Sequence, residues 1–184
     1  MPTIIAMLRG VNLGGHNLIR MEILRKLCTS CKFDNAQTYL QSGNAIFTSK
    51  EKNLAAIGKR LEDAIEKELG FRPAVVCRTA AEMQDVIGRN PFAERKGIDN
   101  SKFAVVFFAE PLAPEIRTQL ETIKVGPEDI HAHERELYIY YPDGQGLSKL
   151  PAAIDKVMKK TGTARNWNSV TKMMDMAEKM EAAK

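Results

Sequence analysis

The chain lacks most of what would place it in a specialised class. It has three cysteines in 184 residues, too few and odd in number for a disulfide framework. No apolar run is long enough to cross a bilayer. The opening Met1-Pro2-Thr3-Ile4-Ile5-Ala6-Met7-Leu8-Arg9 has no basic leader ahead of its apolar residues. It is expected to be a first β-strand rather than a signal peptide, with the cytoplasm as the expected location. Charge of one sign is also scarce. The net charge is +4, and Lys and Arg alternate with Asp and Glu along nearly the whole chain. That balance permits contact with anions but lacks the concentrated positive charge of a dedicated nucleic-acid binder. The G-x-G-x-x-G of a dinucleotide loop, the G-x-x-x-x-G-K-[ST] of a P-loop and the G-x-S-x-G of a nucleophile elbow are all missing. No Ser, His and Asp set stands out as a nucleophile relay. No cofactor-binding pattern is evident.

What is present is the composition of a folded chain, 44% hydrophobic and 27% charged. Thr3 to Leu8 reads as a strand, and a Gly- and Asn-rich loop follows from Arg9 to Asn17. Ile23, Leu24, Leu27 and Cys31 recur at helical spacing. Ala36 to Gln41 and Ala45 to Thr48 read as strands, with Ser42-Gly43-Asn44 as the hairpin signal between them. Asn53 is placed to cap a long helix carrying Leu54, Ile57, Leu61, Ile65 and Leu69 on one face, and Gly70 to stop it. Pro73 to Arg78 is a further strand. The order is β-α-β-β-α-β, the ferredoxin-like arrangement.

A linking helix is expected over Ala80 to Gly88, ending near Asn90-Pro91-Phe92, and then the order repeats. Lys102 to Ala109 is a strand and Pro114 to Ile123 a helix. Asp129 to His133 and Glu136 to Tyr141 are strands joined by a tight turn. Leu147 to Lys160 is a helix stopped by Gly162, and Thr163 to Trp167 is extended. A last helix, capped by Asn168, carries Val170, Met173, Met174, Ala177 and Met180 on one face. The fold expected is α+β: two tandem ferredoxin-like halves, residues 1–80 and 101–184, joined by a linking helix and loop over 81–100, with an extra C-terminal helix in the second half. The strands Ile4-Ile5-Ala6-Met7-Leu8 and Phe103 to Phe108 do not alternate with polar residues, which is the pattern of strands buried on both faces. The two halves are therefore expected to pack as one compact unit.

This topology gathers distant polar residues at sheet ends. In the first half, the loop after the first strand and the hairpin between the second and third lie at the same end. That unites Arg9, Gly10, Asn12, Gly14, Gly15 and His16 with Gln41, Ser42 and Asn44. Glycines that turn backbone N–H groups outward, cations and a following helix N-terminus suit a phosphate or carboxylate. The competing reading is a glycine-rich turn whose asparagines satisfy loop backbone groups. In the second half, the loop after the third strand shares an end with the close of the fourth. That unites Asp143, Ser148 and Lys149 with Arg165, Asn166, Trp167 and Asn168. Lys149 and Arg165 could clamp an acidic group beside Trp167 as a flat stacking surface; alternatively Asp143 pairs with Arg165 and Asn168 merely caps a helix.

Other signals are weaker. Cys28-Thr29-Ser30-Cys31 sits near a helix C-terminus, where the dipole opposes a thiolate, and no second C-x-x-C completes a zinc site. Cys77 reads as strand packing. His131 and His133 lie on one side of a strand, a spacing that can hold a metal, but Glu134 and Arg135 suggest a solvated turn, and no metal is expected. The methionines of the last helix read as core.

Leu8-Arg9-Gly10-Val11-Asn12-Leu13-Gly14-Gly15, Thr38 to Asn44, Asn90-Pro91-Phe92, Tyr140-Tyr141-Pro142-Asp143-Gly144 with Gly146, Ser148 and Lys149, and Arg165-Asn166-Trp167-Asn168 together resemble the bacterial family named "domain of unknown function 1697". The resemblance runs in order from Thr3 to about Met176. It implies paired ferredoxin-like subdomains and brings no activity or catalytic residues with it. His16 falls where a lysine is common in the family. The functional expectation is a protein that binds or acts on a small anionic ligand through its Gly/Asn-rich loops. A nucleic-acid-binding module and a protein-interaction or homodimerising role are the alternatives.

Overall fold

A computed structural model describes residues 1–158 and 162–183. The elements are β1 (Thr3–Leu8), α1 (Met21–Ser30), β2 (Asp34–Tyr39), β3 (Asn44–Thr48), α2 (Leu54–Leu69), β4 (Val75–Thr79), α3 (Ala80–Gly88), β5 (Phe103–Phe107), α4 (Pro114–Glu121), β6 (Asp129–His133), β7 (Glu136–Tyr140), α5 (Leu150–Val157), β8 (Thr163–Asn166) and α6 (Trp167–Ala182). The strands form two four-stranded sheets, ordered β2-β3-β1-β4 and β6-β7-β5-β8, antiparallel throughout. Each is the sheet of a ferredoxin-like βαββαβ unit, so the α+β architecture is present twice. The chain divides into two compact units, Met1–Asp85 with Thr171–Lys184, and Val86–Val170. The greater part of α6 thus groups with the first unit, where sequence pattern had placed the whole helix in the second half.

In the first unit the central strands β1 and β3 are buried at every residue, which is why neither shows apolar–polar alternation. α2 starts where the Asn53 side chain accepts from the Ala56 N–H at 3.0 Å. It stops where Gly70 takes a φ of +76°. Its buried stripe of Ile57, Leu61 and Ile65 joins Leu24, Leu27 and Cys28 of α1 over one face of the sheet. Burying each such aliphatic side chain is worth about 1.5–3 kcal/mol. Phe33 and Phe47 stack within this core, their ring centroids 4.3 Å apart.

In the second unit Ala104, Leu137, Ile139, Leu120, Leu150 and Ile154 form the corresponding core. α5 begins at Leu150 rather than Leu147. Pro151, which lacks an N–H, fits only in a first turn, and the Ser148 hydroxyl accepts from Leu150 N–H at 3.1 Å. The helix is described to Val157; Lys159 and Lys160, also expected in it, lie outside the described residues. α6 begins one residue before Asn168. The Asn166 side chain accepts from Ser169 N–H at 2.8 Å, so capping is supplied from the end of β8. Of the expected methionine stripe, Met173, Met174 and Met180 are buried.

The two units also share a detail of register. Arg78 on β4 pairs with Ile5, the third residue of β1, and Arg165 on β8 pairs with Val105, the third residue of β5. Both arginines are buried. Each donates through Nη1 to the carbonyl just before it, Arg78 to Cys77 and Arg165 to Ala164.

Candidate functional site

The loop after β1 and the β2–β3 hairpin meet at one end of the first sheet. Leu8 N–H donates to Gly43 O at 2.8 Å, and Arg9 N–H to Ala74 O at 2.9 Å. Asn12 ties the two segments together. Its Nδ2 donates to Ile19 O at 2.9 Å and to Gln41 O at 2.7 Å, and its Oδ1 accepts from Ile19 N–H at 2.9 Å. Asn17 closes the base of the loop by donating to Gly10 O at 3.2 Å. Leu13 and His16 pair across the Gly14-Gly15 tip. The tip glycines hold φ of +56° and +78°, the left-handed region that glycine enters at no steric cost.

The loop is therefore a braced finger rather than a slack turn, and its outer surface is open. Gly10, Gly14, Gly15, His16 and Arg20 are exposed, and Arg9 is half-buried. α1 starts directly after it, with Arg20 as N-cap and no capping hydrogen bond from that side chain. The first-turn N–H groups are thereby left to solvent or to an anion, at the end of the helix that carries partial positive charge. Not every expected residue faces outward. Asn44 is fully buried and donates to Tyr39 O and Ser42 Oγ. Asn12 is spent on the bracing just described. Gln41 and Ser42 are exposed beside the finger.

The second cluster is less of a site. The loop after β7 does reach the close of β8, as expected: Phe103 pairs with Tyr140 and Ala104 with Asn166. Arg165, however, turns inward, donating to Thr163 Oγ1 at 2.8 Å and to Ala164 O, and burial pulls its pKa down to about 10. Trp167 is buried and stacks on Phe103 at 4.5 Å between centroids, so its face is not offered for stacking. Ser148 donates to Glu128 Oε1. Asp143, Lys149, Asn166 and Asn168 are exposed. Arg165 is thus buried while Lys149 is exposed. An arginine on a short strand gave no sequence signal of which face it occupies.

The family model described as "Protein of unknown function (DUF1697)" matches residues 1–138. The chain belongs to that family. The match spans the whole first finger and hairpin. A solved structure, that of conserved bacterial protein SP0830 from Streptococcus pneumoniae, is similar at 19% identity and a TM-score of 0.74, covering 96% of this chain and 98% of that one. At that identity the likeness is one of fold. No match was found among curated proteins.

Elsewhere in this DUF1697 chain, Cys28 and Cys31 are buried in the last turn and C-cap of α1. Burial pushes the Cys28 thiol up to about 12 and raises Cys31 as well. Cys77 on β4 is also pushed up to about 12 by burial. His131 Nε2 lies 3.2 Å from Asp129 Oδ1, while Arg95 holds Asp129 Oδ2 at 3.0 Å and stacks over Tyr140 at 5.3 Å. Among the described residues no group of three or more His, Cys, Asp or Glu is arranged to hold a metal. Sequence reading missed this Arg95–Asp129–His131 group because its members lie 34 residues apart on a loop and an edge strand. It also passed over Leu13, Leu18 and Leu40, which stay exposed on and beside the finger. The available signal was a leucine within a turn sequence, Leu40-Gln41-Ser42-Gly43.

Proposed function

We propose that this protein, in the cytoplasm, binds a small phosphate- or carboxylate-bearing ligand at the Arg9–Arg20 finger. The observation that carries the reading is the braced, exposed Gly14-Gly15 tip opening onto the N-terminus of α1, whose N-cap side chain makes no capping bond. Arg9 and Arg20 supply cationic side chains, and residues 9–21 include no Asp or Glu. The next acid along the chain, Glu22, is engaged by Lys26 at 2.9 Å, and Glu62, which accepts from the Val75 N–H, is engaged by Arg72 at 3.0 Å. Prior bracing by Asn12 favours binding, because the loop need not be ordered by the ligand. An RNA-recognition-motif mode, with bases stacked on the central strands, has less support, since β1 and β3 are buried along their full length.

The test is thermal unfolding with inorganic phosphate and a panel of nucleotides and sugar phosphates. At least one of these is expected to raise Tm, since a ligand held only by the native state stabilises it by mass action. The variant Arg9→Ala/Arg20→Ala is expected to fold and to lose that rise. A Tm that no anion moves, in a folded wild-type protein, overturns the proposal.

A further inference from the structure

The same finger carries a second chemistry, an apolar one. Among the described residues the large hydrophobic side chains left exposed are Met1, Leu13, Leu18, Leu40, Val125 and Leu147. Three of these six, Leu13 at 65%, Leu18 at 62% and Leu40 at 52%, belong to one end of the first sheet. Asn12 gathers them. It precedes Leu13, bonds Ile19 next to Leu18, and bonds Gln41 next to Leu40. The finger stands open to solvent at its glycines, since a Cβ added at Gly10 or Gly15 would meet nothing within 4 Å. Leu40 is moreover held at φ +57°, a left-handed conformation that disfavours a side chain with a Cβ. Folding gains neither from that strain nor from leaving the leucine in water.

The two segments that form this end carry cations and no acid, and the acids that flank them, Glu22 and Glu62, are paired with Lys26 and Arg72. Arg9 and Arg20 bracket the finger and His16 stands at its tip, while neither residues 9–21 nor residues 35–50 contain Asp or Glu. Exposed apolar side chains and neighbouring cations are the two components of interfacial attachment to anionic lipid. We infer that this end of the first unit docks reversibly on an anionic bilayer surface. Leu13, Leu18 and Leu40 enter the interfacial layer, and Arg9 and Arg20 meet headgroup phosphates. The inference rests on the anion-binding reading for its cations and adds that lipid presents the phosphate.

The experiment is co-sedimentation of the full chain with phosphatidylcholine vesicles and with vesicles that also contain phosphatidylglycerol, at about 0.1 M and about 0.5 M salt. Binding is expected only to the phosphatidylglycerol vesicles and to fall at the higher salt. The variant Leu13→Ser/Leu18→Ser/Leu40→Asn is expected to lose at least about tenfold in vesicle partition. Its Tm should hold, because Asn tolerates the left-handed backbone at 40, and so should any stabilisation by soluble phosphate. No binding by the wild type, or equal binding by the variant, overturns the inference. So does light scattering that shows a dimer which the variant abolishes, since the leucines would then face a second copy. Phosphate stabilisation without vesicle binding sinks the lipid docking alone. Vesicle binding without phosphate stabilisation sinks the small-ligand reading alone.

Discussion

Asn12 shows how one side chain can turn a loop into a platform. At φ +55° it sits in a conformation that Asn adopts more readily than most residues. From there it makes two donations and one acceptance that join residues 12, 19 and 41. Truncation would strand the Ile19 N–H and two carbonyls and would put an alanine in the left-handed region. Asn12→Ala is expected to cost about 2–4 kcal/mol, read as a lower urea midpoint with an unchanged m-value; a change within error would mean water replaces all three bonds. Sequence identified Asn12 as a residue of interest but not its role. An asparagine in a loop can face a ligand or its own backbone, and only the fold decides which. Asn44 and Arg165 illustrate the same limit: both were legible as polar groups near a sheet end, and both proved buried.

At the scale of elements, the finger depends on how closely β1 approaches the hairpin. Gly43 holds φ +81°, and a Cβ there would lie 2.6 Å from Val11 Cγ2 and 3.0 Å from Leu8 Cβ. Gly43→Ala therefore combines a steric clash with backbone strain. It is expected to destabilise by about 2–4 kcal/mol and to weaken anion binding along with stability. A stable Gly43→Ala protein would show that finger and hairpin can separate without loss. The elements themselves were largely legible, because helical and strand periodicities, Asn53 and Gly70 are local signals. The errors lay at boundaries set by non-local partners. β2 begins at Asp34, ahead of the expected Ala36, where a bulge between Asp34 and Gln37 takes up Asn35 at φ +56°. The repeat was visible as element order, whereas the matched pair Arg78 and Arg165 emerged only once strand register was known.

At the scale of the whole molecule, much of the surface charge is paired, and this sets the response to acid. Lys59 and then Arg72 hold Asp63 below its ordinary pKa. Lys26 does the same for Glu22, and Lys179 with Lys172 for Asp175. A carboxylate with a lowered folded pKa contributes stability above its ordinary value and loses it as pH falls through the folded value. Tm is expected to be flat from about pH 7 to pH 5 and to decline below about pH 4. Because these pairs are exposed, the decline should shrink in high salt. A decline already under way above pH 5 would contradict this assignment. The two units share one architecture, yet among the described residues the first alone presents a braced cationic finger at the start of a helix, and the account of function rests on that asymmetry. The most direct measurement is a titration of the 15N-labelled protein with inorganic phosphate, followed by amide chemical shifts. Saturable shifts confined to Gly14, Gly15, His16, Arg20, Met21 and their neighbours are predicted. Shifts absent there, or centred on Lys149 and Asn166, would contradict the account.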